Sequence, residues 1–373
     1  MMKAALTWMV IAGVALAASW PVIAVSEAED RVLDVVFVLN LAGAPGPASG
    51  LSAPPLYEGL IETALAHPEQ KFVFSVAGTL ATSLQWTSPR FIRLLANGTA
   101  RGQFQLVTTP YAQNILYSSD PWDNQIQMRL GAQSAERIAG EAPTGFWDSS
   151  GAWKHELLPV LSGFGFTHVL LPDEILLSGG VPRTDIHTPV RTSRLGRELT
   201  VFAIDTEFVA VVDRAMTSGN PGPVLDYLRR KYDSDTHDTS VVVYARDLGL
   251  PGPAVSWSNL DTLLGAIGRE KWVRLTTLEE RLRAGTPRTY VGQLPDGQSG
   301  WLREAAAASG FEDWFEFNSR SPVLADYRRF YGEIRSRLGA VEAGITAREA
   351  AGSDVVAARK LLDHALTVFA GYQ

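Results

Sequence analysis

Along the chain, short apolar and β-branched runs alternate with segments whose apolar residues recur every three or four positions. VLDVVFVLNL (32–41), KFVFSV (71–76), QFQLVT (103–108), THVLLP (167–172), LTVFAI (199–204), SVVVYAR (240–246) and WVRLTT (272–277) have the length and composition of strands, and GFW before Asp148 makes a short eighth. Between them lie helical patterns: LYEGLIETALAH (56–67), RFIRLLANG (90–98), NQIQMRLGAQSAERIAG (124–140), ELLPVLSGFG (156–165), VLDYLRRKY (224–232) and LDTLLGAIG (260–268). Strand then helix, repeated about seven times, predicts parallel strands with crossover helices, because parallel neighbours need a connection of that size. No Gly-x-Gly-x-x-Gly turn follows the first strand, which favours a closed or nearly closed barrel over an open dinucleotide-binding sheet.

From about Thr286 the pattern changes. A Gly/Pro-rich passage, YVGQLPDGQSG, leads into helices with no further strand expected. Val323, Leu324, Tyr327, Phe330, Tyr331, Ile334 and Leu338 share one helical face, and Val355, Leu361, Leu362, Ala365 and Phe369 another; both stripes read as core. At 373 residues the chain has room for one large α/β barrel with an attachment. The expected division is a barrel over 31–286 and a helical domain over 287–373.

Residues 1–24 carry a single Lys3 followed by an apolar run, and Val22-Ile23-Ala24 fits a signal-peptidase site. This predicts export, to the periplasm or beyond, with an uncleaved membrane anchor as the alternative. The net charge of −7 and the absence of a dense Lys/Arg run argue against nucleic acid as a partner. The chain has no cysteine, so it has no disulfide and no thiolate metal site. Its six histidines show no i, i+4 pair and there is no Gly-x-Ser-x-Gly elbow, so neither a metal, nor a cofactor, nor a serine triad is expected.

Chemistry in α/β barrels sits where strands end. That rule selects Asn40, the TTPYAQN loop with Gln113, Asp148, Ser149, Ser150, Asp173, Glu174, Asp205, Glu207 and Asp247. A single acid at such a place is more often a helix cap or turn residue than a catalyst; several on one rim carry more weight. Trp122, Trp147, Trp153 and Trp257 fall near the same loops, where flat faces suit sugar rings, although each alone is more often core.

With these elements in place, the mature chain resembles glycoside hydrolase family 57, its 4-α-glucanotransferase and α-amylase branch. KFVFSVAGTLATSLQ is similar to a family strand and loop ending in SGxLL, GQFQLVTTPYAQNIL to GQxE...YxPIL, and DNQIQ to DxxxQI. TGFWDSSGAW resembles GxWLxExxW, VLSGFGFTHVLLPDE resembles GxxYxxxDD, and LTVFAIDTEF resembles LxVFPIxxxL. VVVYARDLGL resembles DDGExFG and FEDWFEFNSRSP a late WRNFFxxYPE element. The resemblance implies an incomplete (β/α)7 barrel with a C-terminal helical domain, acting on poly- or oligosaccharide.

It also implies site positions, and several depart from the family. The nucleophilic Glu of GxWLxE falls on Ser150 when Trp147 and Trp153 are aligned, while the acid/base Asp of DDGE falls on Asp247 and its following Glu on Gly249. The HxHQP histidines fall near Asn40 and Ala42, the Glu or His before PIL on Gln113, and the Glu of GQxE on Gln105. A retaining glycosidase needs two carboxyls about 5 Å apart. A serine hydroxyl without a base neither attacks well nor offsets oxocarbenium charge.

Two readings follow. In the first, a saccharide-binding relative of the family has lost or strongly reduced catalysis. In the second, an active glycosidase pairs Asp247 with Asp148 or another rim carboxylate, Asp148 facing as Ser150 does if the chain stays extended between them. A metal-dependent deacetylase on a related barrel fails for want of its Asp and His-x-x-x-His ligands.

Overall fold

The first apolar run is β1 (Leu33–Leu41), buried at all nine positions, as a parallel strand covered on both faces must be. Nine more strands follow among the described residues: β2 (Phe72–Val76), β3 (Phe104–Leu106), β4 (Gly145–Phe146), β5 (His168–Pro172), β6 (Val190–Arg194), β7 (Arg197–Ile204), β8 (Val241–Asp247), β9 (Val273–Leu275) and β10 (Thr289–Val291). The structure, a computed structural model, describes residues 31–43, 49–234, 240–249, 256–285 and 289–372, with the backbone alone for 49–56. The leader or anchor expected at 1–24 lies outside the described residues.

The strands pair in parallel in the order β3-β2-β1-β8 and, in a second sheet, β7-β5-β4. Two seams join the sheets. At one, Thr108 bridges Phe146 in parallel, Thr108 N–H donating to Gly145 O at 2.8 Å and Trp147 N–H to Thr108 O at 2.9 Å. At the other, Asp205 N–H donates to Val243 O at 3.0 Å. The ring β1, β2, β3, β4, β5, β7, β8 is the expected incomplete (β/α)7 barrel, its seams far shorter than the registers inside each sheet.

The strand period of two sorts the core. From β1, Val35, Phe37, Leu39 and Leu41 face the helices in one buried cluster, while Val36 and Val38 face the barrel interior in another. β8 divides likewise, Val242 and Tyr244 outward, Val241, Val243 and Ala245 inward. This parity fixes what stands at the strand ends: continuing inward, β1 reaches Asn40, β2 reaches Ser75 and β8 reaches Asp247.

Some expectations are corrected. The run 272–277 forms β9, which pairs with the base of β1 outside the ring, and the ring takes the two-residue β4 instead. β6 and β10 were not expected: β6 runs antiparallel to β7 across the tight turn Leu195-Gly196, both residues at positive φ, and β10 pairs in parallel with β6. A strand therefore does occur after Thr286. The segment 156–165 is a 3-10 turn, His155–Leu157, followed by the short helix Leu158–Gly163, its proline at the start.

Helices Gly300–Ala308, Trp314–Arg320, Pro322–Ala350 and Val356–Gly371 complete the chain. The last two meet helix Pro121–Ala139 through Ile126, Ile345, Leu362, Leu366 and Ala370. The apolar stripes read as core are buried only in part: Val323, Tyr327, Phe330 and Leu361 are exposed, because these helices seat along one narrow strip. Among the described residues no helix is long and apolar enough to cross a membrane.

Candidate active site

At the C-terminal end of the barrel, Ser75, Asn40 and Asp247 stand on one rung of β2, β1 and β8, Asn40 being in register with both others. Ser75 Oγ donates to Asn40 Oδ1, which turns the amide so that Nδ2 donates to Asp247 Oδ2 at 2.7 Å. Gly249 N–H donates to Asp247 Oδ1 at 2.8 Å, so both carboxylate oxygens are held. Tyr57, from helix Ser49–Leu65, donates its hydroxyl to Ala42 O beside this rung. Burial, and then the negative charge of Asp247, push the Tyr57 phenol up to about 12. Gly249 is required by space: a Cβ there would press into the Ala42 methyl well inside van der Waals range.

The segment 144–153 leaves the strand after only two residues, β4. Trp147 turns inward and fills the barrel with Val36, Val38 and Val243. The chain then folds back: Gly151 N–H donates to Asp148 O at 3.0 Å, with Gly151 at φ 66°, which glycine adopts without strain. Ser150 is buried, its Oγ accepting from Ala152 N–H at 3.2 Å and its carbonyl from Ser299 Oγ at 2.6 Å. The extended geometry that would make Asp148 and Ser150 face alike is absent, because a turn lies between them. Asp148 instead folds onto its own turn, Oδ1 accepting from Ser150 N–H at 3.0 Å and Oδ2 from Leu116 N–H at 3.4 Å. Burial pushes its carboxyl up to about 6 against the pull of a hydrogen bond with the Ser150 side chain and of those two backbone bonds, and the charge of Asp247 adds to the rise.

The other selected residues separate into structural roles. Asp205 caps helix Thr206–Ser218 through Phe208 N–H at 2.9 Å and holds His187 Nε2 at 2.7 Å and the Tyr227 hydroxyl. Burial alone would raise its carboxyl, but the His187, Tyr227 and Phe208 hydrogen bonds bring it below its ordinary value. Asp173 accepts from Thr206 Oγ1 at 2.6 Å, and burial with the nearby Asp205 raises its carboxyl. Glu207 is exposed on the first turn of its helix. Trp153 is buried and its backbone pairs with Gly297. Trp122 joins the C-terminal helices, its Nε1 donating to Glu342 Oε2 at 3.3 Å and its ring packing on Phe369. Trp257 packs across helix Ser49–Leu65 at Gly59. None of these three tryptophans is an open platform at the barrel mouth.

Gln113 sits apart from the rung, at φ 61°, in a groove of about 570 Å³ between the 113–120 loop and the helices of 314–335. Ser75 and Tyr57 were not selected from sequence. Ser75 was legible as the polar end of an otherwise apolar strand two residues after inward-facing Val73; Tyr57 lies in a helical pattern with nothing to mark it. Among the described residues no group of three or more His, Asp or Glu is placed to hold a metal.

The model of glycosyl hydrolase family 57 matches residues 52–245, just over half of the chain. The chain belongs to this family. An alpha-amylase of Pyrococcus furiosus is 29% identical over 286 residues, covering 74% of this chain and 43% of that protein. A 4-alpha-glucanotransferase of Thermococcus kodakarensis is 24% identical over 286 residues, covering 74% and 42%. The family 57 chain thus spans less than half the length of these curated relatives. The crystal structure of 4-alpha-glucanotransferase from Thermococcus litoralis aligns with a TM-score of 0.70 at 19% identity, covering 90% of this chain and 55% of that one, a likeness of fold.

For this family 57 site the chemistry available is that of one carboxylate on the barrel rung and one in the adjoining turn. Asp247 has its two oxygens engaged by the Asn40 amide and the Gly249 N–H. Asp148 is half protonated near pH 6 and faces its own backbone.

Proposed function

We propose that this chain is an exported saccharide-binding protein of the family 57 type, taking α-glucan-like chains, with glycosyl transfer or hydrolysis lost or strongly reduced. The observation that carries this reading is the state of position 150. By the family resemblance it is the nucleophile's place, and its side chain is a buried hydroxyl that accepts from Ala152 N–H and hydrogen-bonds the Asp148 carboxyl. A hydroxyl so placed has no charge to offer an oxocarbenium ion, and it cannot replace a carboxylate in forming and stabilising the glycosyl intermediate. Loss of an attacking group of this kind removes several orders of magnitude in rate, at about 1.4 kcal/mol per factor of ten. The sugar class comes from the family and from the printed activities of its relatives, an alpha-amylase and 4-alpha-glucanotransferases.

A second reading has one observation in its favour. Asp148 has its carboxyl raised to about 6, first by burial, and feels the charge of Asp247, and a raised carboxyl near a second acid is a candidate proton donor. In that reading Asp247 acts with Asp148. Titration calorimetry with maltooligosaccharides, paired with an overnight hydrolysis and transfer assay on α-glucans, separates the two. Binding without turnover is the expected result. Turnover that disappears in Asp247→Asn but persists in Ser150→Ala overturns it in favour of the pair. Neither binding nor turnover removes the α-glucan assignment.

A further inference from the structure

A pocket of about 290 Å³ opens between the first turn of helix Asp173–Ser178, the 295–298 segment and the 312–315 turn. Gln298 lines it and is only 7% exposed. Its Oε1 accepts from Trp314 N–H at 3.0 Å, which commits the other branch of the amide, Nε2, to the pocket. Nε2 has no hydrogen-bond partner among the described residues, and it is not sealed from solvent as the enclosed unpaired atoms of this chain are. A polar group set this deep and left unpaired calls for a partner. Here one that enters through the pocket mouth can reach it.

The walls select the class of that partner. Glu174, Asp296, Glu312 and Asp313 line the pocket with one cation, Arg303, which is taken up by Glu174. Asp296 Oδ1 accepts from His155 N–H at 2.9 Å and Asp313 Oδ1 from Glu316 N–H at 2.7 Å, which leaves Oδ2 of each, and the Glu312 carboxylate, without a donor among the described residues. Lys154 feels the charge of Asp296 but pairs with Glu156 at 3.0 Å. Phe315 adds a flat wall, its ring stacked on Tyr117 with centroids 3.6 Å apart. Solvated acids alone would call for nothing; the buried N–H among them does. A metal ion fits poorly, since no three acids among the described residues are placed to share one and the Gln298 N–H would turn its positive end toward it. A guanidinium fits: it is planar, carries five N–H donors that bridge separated carboxylates, and lies flat on an aromatic ring. The Gln298 N–H then needs an acceptor on the same ligand. In a peptide a backbone carbonyl supplies it, whereas in free arginine the α-carboxylate would be repelled by the surrounding acids.

We propose that this pocket docks an arginine side chain presented by a partner polypeptide, with the guanidinium among Asp296, Glu312 and Asp313 and against Phe315, and a backbone carbonyl on Gln298 Nε2. Nothing in it rests on the saccharide reading. The probe is acetyl-glycyl-arginyl-glycinamide, its Kd for the whole chain read by saturation-transfer NMR at low salt. Citrulline in place of the arginine keeps the shape and removes the charge, and raises Kd about tenfold or more. Gln298→Leu deletes the amide N–H and raises Kd about three- to tenfold. The double variant Asp296→Asn, Asp313→Asn keeps an acceptor for His155 N–H and for Glu316 N–H and raises Kd about tenfold or more, so the test stands without the Gln298 variant; exposed Trp86→Ala leaves Kd unchanged. Equal binding of the citrulline peptide overturns recognition of the cation. Free arginine binding as tightly as the peptide overturns the polypeptide partner. Binding that neither Gln298→Leu nor the double variant weakens lies elsewhere on the chain and overturns the pocket, as does no binding of the arginine peptide at millimolar concentration.

Discussion

Asp148→Asn is the substitution that most directly tests the reading of the 148–151 turn. Burial lifts the Asp148 carboxyl from its ordinary 3.8 to about 6, which at about 1.4 kcal/mol per pH unit burdens the ionised form with about 3 kcal/mol in the folded state. The sign follows from the direction: a folded value above the unfolded one means that the folded protein holds the proton more tightly. Its stabilising contribution is complete below about pH 4 and is lost as the pH rises through about 6. Asparagine keeps the acceptor for Ser150 N–H but turns an NH2 toward Leu116 N–H, whose bond to Oδ2 is already long at 3.4 Å, a loss of about 1 kcal/mol. The variant is therefore about 1 kcal/mol less stable than the parent at pH 4 and about 1–2 kcal/mol more stable at pH 7.5. Urea unfolding followed by tryptophan fluorescence at several values between pH 4 and 7.5 measures this, and taking the difference between the two proteins cancels every other titrating group. A difference that is the same at all pH values refutes a buried, raised Asp148 and, with it, the claim that its carboxylate is spent on the turn.

Other perturbations probe the rung and its neighbours. Asn40→Leu removes the donor to Asp247 and the acceptor of Ser75 and is expected to lower unfolding stability by about 2–4 kcal/mol, since it strips partners from buried polar groups; a loss under about 0.5 kcal/mol in urea contradicts the network. Gly249→Ala drives a methyl into Ala42 and costs about 1–3 kcal/mol, and Ala42→Gly in the same chain recovers most of it, which a double-mutant cycle reads directly. Asp205→Asn keeps an acceptor for Phe208 N–H and so the cap of its helix, but replaces the oxygen shared by His187 Nε2 and the Tyr227 hydroxyl with an NH2, with an expected loss of about 1–3 kcal/mol and no change in oligosaccharide Kd; a changed Kd returns Asp205 to the binding site.

The barrel was legible because its signal is redundant. β1 is a long unbroken apolar run, and such a run, repeated with helices between, has few alternatives to a buried parallel sheet. Period two then carried the site: once Val36 and Val38 face inward, Asn40 must, and Val241, Val243 and Ala245 bring Asp247 to the same face. Parity failed where the strand ended early. β4 stops at Phe146, the dipeptide after Asp148 enters a turn, and extrapolating an extended chain to Ser150 carried Asp148 to a face it does not occupy. The hairpin β6–β7 was missed because RTSRLGRELT is polar on both sides of its turn, with little burial there to mark it. The groove could not be read at all, since it is made by residues some 200 positions apart whose meeting depends on how the last helices seat.

The substitutions at the rung also bear on one another, which matters for how the site is understood. By the family resemblance Asn40 and Ala42 stand near two histidines and Gly249 stands for a glutamate; in the fold, Ala42 lies against Gly249, and Asn40 reaches the same Asp247 that Gly249 N–H holds. A glutamate at 249 needs a different neighbour at 42, and a histidine at 40 needs a different partner for Asp247 and Ser75. Restoring one family residue at a time therefore sets the incoming side chain against packing built for the others. Ser150→Glu alone faces the same obstacle, since it enters a closed turn beside Ser299 and displaces the Ala152 hydrogen bond. On the proposed reading these positions are coupled through contact, and glycosyl transfer appearing in any single one of these variants, measured as product from maltooligosaccharide, contradicts that coupling.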